Sequence, residues 1–356
     1  MKELLSAYNL FSNRVDDISS FIQNMMSSND TWGSFENFEL SEEQQNLLNY
    51  VQSSGGKTIQ YNAVIISLYG CFENYIDTVF SRYLDFVFSG VSEYDNLPKK
   101  IKDKYTSKLS EYLIAPNRFY GIDIPTVKLL DDYLKVLNSN FSETVNKTFL
   151  LMHSGNLRLE QLNTFMVEMG IQSPKSKIYS NTLMKSFHLD VLGYDEADYA
   201  LKVSRDSQDL SMYLDKLVDQ RNSVAHGWVE SNRISIYDFN TYLIPYMKVL
   251  AEVLLRILLC ESIQFLPKEE TAKSFEEKPL AVYNHNIVCL HIIGQAVSID
   301  DYMIYLSGDA PVCARIKCIQ INKQHINKIS GEECNIGIEL DTRITDKDKI
   351  CLFVEH

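Results

Sequence analysis

Two residues with complementary chemistry stand close together in the run QRNSVAHG, residues 220–227: Arg221 and His226. A histidine exchanges its proton near neutral pH and can serve as general base or general acid. An arginine keeps its charge and presents a planar fork that matches phosphate oxygens. The pair suits cleavage of an RNA phosphodiester by its own 2′-hydroxyl, with the guanidinium stabilising charge on pentacoordinate phosphorus. That chemistry calls for no metal and no other cofactor, and it leaves a 2′,3′-cyclic phosphate and a 5′-hydroxyl. Asn222 lies between the two and can donate to a phosphate or orient the imidazole.

Spacing limits how the pair can meet. Five positions on a continuous α-helix turn through about 140°, so Arg221 and His226 do not share a face. They converge if the helix ends at or near His226, and Gly227 is suited to the left-handed conformation of a helix C-cap. One histidine per chain leaves a proton-transfer role vacant. A symmetric homodimer that set two motifs face to face would fill it. The same residues also fit a second reading, in which they cap carbonyls and pair with Asp215 or Asp219. The helical region is then a non-catalytic scaffold for dimerisation or for binding RNA or protein.

The elements that must position these residues are helical up to about Leu266. Apolar residues recur at helical spacing over residues 1–26, which predicts an amphipathic helix. A polar, acidic stretch from Ser27 to Glu43 follows, and Ser53-Ser54-Gly55-Gly56 reads as a breaker. Tyr61 to Phe88 is apolar nearly all round, which predicts a helix in a core or an interface. Asn181 to Leu192 and Asp206 to Gly227 read as further helices. Tyr237 to Phe265 reads as the last, interrupted near Pro245. Pro267 to Pro279 is charged and without apolar periodicity, which predicts a linker. Beyond it the pattern turns to period two with β-branched residues, predicting four to six strands in a small closed β-barrel. The organisation expected is therefore multidomain α plus β. It comprises a helical extension over residues 1–54, an all-α domain over 55–266, a linker over 267–279 and a barrel over 280–356.

Composition narrows the function. With 34 Lys and Arg against 47 Asp and Glu, the net charge is −13. Any nucleic-acid contact must be local, in a cleft where a few cations outweigh the global repulsion. A small, shaped RNA fits this balance better than a long duplex. The seven cysteines are odd in number and form no CxxC pair, which predicts free thiols in a reducing cytoplasm. No run of 18 or more apolar residues predicts a membrane span, and the N-terminus does not read as an export signal. His153, His188, His285, His291, His325 and His356 show no ligand spacing and are expected to be satisfied or solvated.

The run RNSVAHG resembles the R-x4-6-H motif of the HEPN superfamily. The upstream VIISLYGCFENYIDTVF is similar to the early helix of its RiboL-PSP-HEPN branch, and Glu73 sits where that branch carries an acidic residue. The resemblance covers roughly residues 55–265. It implies a helical fold, a dimer with the motif at its cleft, and metal-independent endoribonuclease activity in phage defence or a toxin system. The partners implied are an RNA, together with an antitoxin or a phage-derived trigger. An acid inside an apolar helix is costly unless paired, so Glu73 is expected to meet Arg221 and orient it, or else to form an ion pair unrelated to catalysis. Some toxins of this superfamily are silenced by adenylylation of a tyrosine two residues after the histidine. Trp228 stands at that place here.

The segment from Asn286 resembles the second domain of translation GTPases. The resemblance rests on Gly308-Asp309, on Arg315 to Ile321, and on ISGEECNIGIEL over 329–340. No GxxxxGK[ST] loop exists in the chain, so GTP hydrolysis is not implied. What the resemblance implies is a barrel that recruits tRNA or ribosomal RNA. The alternative is a protein-binding or dimerising module.

Overall fold

The computed structural model describes residues 1–34, 41–116, 124–138, 145–153, 155–227, 233–266, 278–331 and 333–354. Most of the expected linker, Trp228 and His356 lie outside them.

Helix α1, Lys2–Ser34, runs past the predicted end into the polar stretch. Leu4, Leu5, Tyr8, Phe11, Val15 and Ile22 form its buried stripe, while Leu10 and Phe21 fall off that stripe and are exposed. Helix α2, Glu42–Gln52, leads directly into α3, Ser54–Gly90. The expected breaker is thus a junction between two helices. Ser53 caps α3 by accepting the Gly56 N–H at 3.0 Å. Gly56 has to be glycine, because a Cβ there would stand 2.2 Å from the Tyr50 carbonyl oxygen.

Helix α3 is the axis of the helical region. Its buried residues, from Val64 to Phe88, join one core with those of α1 and of the later helices. Around it lie α4 (Lys99–Ile114), α5 (Thr126–Leu137), α6 (Lys147–Leu151), α7 (Leu159–Glu168) and α8 (Pro174–Ser180). Then come α9 (Thr182–Ser186), continued by a π-helical segment to Val191, α10 (Glu196–Ser204) and α11 (Met212–Ala225). The last helix, α12, starts at Ile236 and widens to a π-helix over Phe239–Leu243. It regains α-geometry over Ile244–Ser262. Pro245 explains the widening: it has no N–H to donate, and its ring displaces the carbonyl one turn earlier. Among the described residues no helix is long and apolar enough to cross a membrane.

The C-terminal region is antiparallel β-structure. Its strands are β1 (Ala281–Tyr283), β2 (Ile287–Ile293), β3 (Ala296–Ser298), β4 (Tyr302–Ser307) and β5 (Ala310–Ile321), then β6 (Gln324–Ile326), β7 (Lys328–Ser330), β8 (Glu333–Leu340) and β9 (Lys349–Val354). The main sheet has the order β1-β2-β8-β5-β4-β9, with β6 paired to β5, and β3 pairs separately with β7. Register shifts at Ile304/Tyr305 and Ile316/Cys318 bend this sheet. Among the described residues it forms a half-barrel and not the closed barrel expected, since β1 and β9, at the two ends of the path, do not pair with each other.

The helical region supplies the reason. On β4, Met303 and Tyr305 face the sheet's own core together with Ala314 and Ile316. Tyr302 and Ile304 face the other way and, with Cys313 and Val354, belong to the helical core. The strand is buried on both faces, which is why it reads as a continuous apolar run. A helical partner on the outer face gives this sheet the burial that a barrel gains by closing on itself.

A buried charge network crosses the same seam. Arg256 on α12 is 2% exposed and donates to Glu252 at 2.6 Å and to both carboxylate oxygens of Asp341, which follows β8. Glu252 also accepts from Tyr8 at 3.3 Å and from Tyr302 at 3.2 Å. Burial alone would raise the Asp341 carboxyl. The Arg256 charge and hydrogen bonds, with the Arg315 N–H, outweigh it and hold the group below the usual carboxylate range.

Candidate functional site

The motif ends a helix, as its spacing requires. Helix α11 stops at Ala225, His226 is the C-cap with φ −92° and ψ 3°, and Gly227 adopts φ +70°. The His226 N–H donates to the Asn222 carbonyl at 3.0 Å and the Gly227 N–H to that of Val224 at 3.1 Å. The chain therefore turns away at His226, and the imidazole is exposed while Arg221 and Asn222 are half-buried.

Arg221 is held from three sides. Its guanidinium carbon lies 5.2 Å from the centroid of the Tyr69 ring, a cation–π contact. Its Nη1 donates to Asn156 Oδ1 and to Asn222 Oδ1, each at 3.2 Å. Among the described residues it makes no ion pair. The acids that could have neutralised it are engaged elsewhere: Arg158 donates to Asp219 and lies 3.9 Å from Asp215. A positioned guanidinium without a carboxylate can take a phosphate oxygen without first breaking a salt bridge.

Glu73 reaches Arg221 indirectly. The expected ion pair is absent, and Tyr69 stands between the two. The Tyr69 hydroxyl accepts the buried Leu157 N–H at 3.1 Å and donates to Glu73 Oε1 at 3.5 Å. Burial pushes the Tyr69 phenol above its ordinary value, the Leu157 N–H works against that, and the Glu73 charge adds to it. The ring consequently stays neutral, with its face to the guanidinium. Glu73 lies one turn along α3 from the Tyr69 ring and accepts its hydroxyl. Asn222 uses its Oδ1 on Arg221, which leaves its amide hydrogens for another acceptor.

A second tyrosine fastens the site. Tyr61 donates to Gln220 Oε1 at 2.6 Å and accepts the Ile234 N–H at 3.1 Å. It ties α3 to the residue before Arg221 and to the segment after the motif. Arg233 lies over the Tyr61 ring at 5.3 Å and donates to Thr58 at 3.0 Å. Tyr69, Asn156 and Tyr61 do not stand out in the sequence as parts of this site. Tyr69 alone carries a local signal, because four residues before Glu73 is the same face of a helix.

The family model of RiboL-PSP-HEPN matches residues 9–259. The chain belongs to that family. The match starts inside α1 and ends near the close of α12, so it includes the N-terminal helix that the sequence set apart as an extension. The sheet lies outside it. No curated protein and no solved structure matches the chain.

Proposed function

We propose that this chain is a metal-independent endoribonuclease that cleaves RNA through attack of the 2′-hydroxyl, with Arg221 as phosphate clamp and His226 as general acid or base. The observation that carries the reading is the state of Arg221. It is stacked on Tyr69, hydrogen-bonded to Asn156 and Asn222, and free of any carboxylate among the described residues. A structural arginine at a helix end would be expected to use Asp215 or Asp219, and both lie against Arg158 instead. Asn222 supplies an auxiliary donor to the phosphate, and Glu73 acts through Tyr69.

An exposed imidazole beside a half-buried arginine also fits a homodimer in which each copy faces the other's motif across the cleft. The second proton-transfer group then comes from the partner copy. A tRNA or ribosomal RNA recruited by the β-region would be the substrate, and restraint by an antitoxin or release by a phage-derived trigger would control it in the cytoplasm. Deleting residues 280–356 is a poor test of recruitment, because Tyr302, Ile304, Cys313 and Val354 are part of the helical core. Charge reversal of the exposed Lys317, Lys323 and Lys328 keeps that core. If the β-region recruits RNA, the triple variant binds tRNA and rRNA more weakly and with a shallower salt dependence. Unchanged binding would make the region a protein-binding or dimerising module.

A further inference from the structure

We propose that Cys318 is a reactive thiol, primed by His325 for two-electron oxidation by a hydroperoxide. The site is built by the hairpin of β5 and β6 and shares no residue with the candidate nuclease site. Asn322 and Lys323 form its turn with φ +51° and +65°, the pair of left-handed residues that suits a tight hairpin. Cross-strand pairing sets Ile319 against Ile326 and Gln320 against His325. The isoleucines point into the sheet's core, where Ile319 is fully buried. Alternation then puts Cys318, Gln320 and His325 together on the opposite face, and a one-residue slip would carry the isoleucines into solvent. The register that buries the core is the register that assembles the cluster.

The contacts are those of a nucleophile with its base. Cys318 Sγ lies 2.9 Å from His325 Nδ1, and the far ring nitrogen, Nε2, lies 3.3 Å from the Gln320 side-chain amide. With the Gln320 amide turned so that its oxygen accepts from Nε2–H, the imidazole is held on both sides and Nδ1 is the acceptor for the thiol proton. Gly337 pairs with Gln320 from the neighbouring strand β8 and has no side chain to cover the cluster. His325 and Gln320 are exposed and Cys318 is partly so, which leaves the sulfur approachable.

Three of the other thiols are suppressed by burial. Cys313 is fully buried, and burial pushes its thiol well above the ordinary value. Burial pushes Cys260 up to about 12 and raises Cys71 as well. Those three are poor nucleophiles.

The step balances. The thiol proton passes to His325 Nδ1 as sulfur attacks the outer peroxide oxygen. The S–O bond forms, the O–O bond breaks, and the departing alkoxide or hydroxide takes the imidazole proton. Cys318 becomes a sulfenic acid, oxidised by two electrons, and the peroxide is reduced to an alcohol or water.

The experiment treats the full chain with hydrogen peroxide and traps sulfenic acid with a dimedone probe. Peptide mass spectrometry then measures the rate at each cysteine. Cys318 is expected to label first, ahead of Cys289, Cys334 and Cys351. His325→Gln should slow Cys318 by roughly tenfold to a hundredfold without changing the other sites or the melting temperature. The proposal is overturned if Cys318 labels no faster than the other partly exposed thiols. It is equally overturned if His325→Gln leaves its rate unchanged.

Discussion

The Arg221 guanidinium lies over the face of the Tyr69 ring, 5.2 Å from its centroid, and the hydroxyl of that ring points to Glu73. A carboxylate on α3 and a cation on α11 thus meet the same tyrosine without pairing with each other. On the proposed function, the ring carries the influence of Glu73 to the guanidinium.

That relationship predicts a graded series. Tyr69→Phe keeps the ring under Arg221 but leaves the buried Leu157 N–H without its acceptor, at a cost of about 1–3 kcal/mol in stability. Its effect on cleavage is expected to be smaller than that of Tyr69→Ala, which removes the platform as well. Glu73→Gln, which keeps a hydrogen-bond acceptor, should lower kcat less than Tyr69→Ala does. Denaturant melts and single-turnover cleavage rates on the three variants check the order. Equal loss of cleavage in Tyr69→Phe and Tyr69→Ala would rule out the stacking role.

The seam between helices and sheet should be held by Arg256. Arg256→Met strands Glu252 and Asp341 in buried surroundings and is expected to cost ~3–5 kcal/mol. The Asp341 carboxyl is held below the usual range, so its contribution to stability is present above the ordinary carboxylate pKa of about 3.9 and is lost as pH falls through the folded value. Asp341→Asn should flatten that acid limb. Urea melts from about pH 5 down to about pH 2 measure it, and an unaltered limb in Asp341→Asn would refute the assignment.

A second pH dependence comes from His188, which is fully buried with Nδ1 2.8 Å from the Met184 carbonyl oxygen. Burial holds its imidazole below the ordinary value. Protonation therefore opposes folding: stability is complete above about pH 6.5 and declines as the pH drops below it. The wild type should lose more stability between pH 7.5 and 5.5 than His188→Gln does. Parallel declines in the two proteins would contradict this.

The part of the candidate site that the sequence singles out is local. Arg221, Asn222, His226 and Gly227 lie within seven consecutive residues, and Gly227 marks where the helix ends. The supports were not legible, since Asn156 and Tyr69 reach Arg221 from other segments, and neither residue type announces such a role. The direct Glu73–Arg221 pair was expected because a buried acid needs a partner, but a tyrosine one helical turn away satisfied it first. The α-then-β order was readable from the change of hydrophobic period after Leu266. The open sheet was not, because the continuous apolar run of β4 says that both its faces are covered but not whether the second is covered by a closed barrel or by a helix. Helices α2 and α3 meet at Ser53 because a serine cap and a glycine close approach can join two helices as well as end one.

The central claim is tested most directly by incubating purified chain with tRNA and rRNA in the presence of a metal chelator and identifying the new RNA ends. The wild type should yield 2′,3′-cyclic phosphate and 5′-hydroxyl termini, with Arg221→Ala and His226→Ala each slower by about a hundredfold or more. Cleavage that persists at the wild-type rate in both variants would contradict the assignment of these residues. A wild type that leaves both RNAs intact would contradict the nuclease and favour the scaffold.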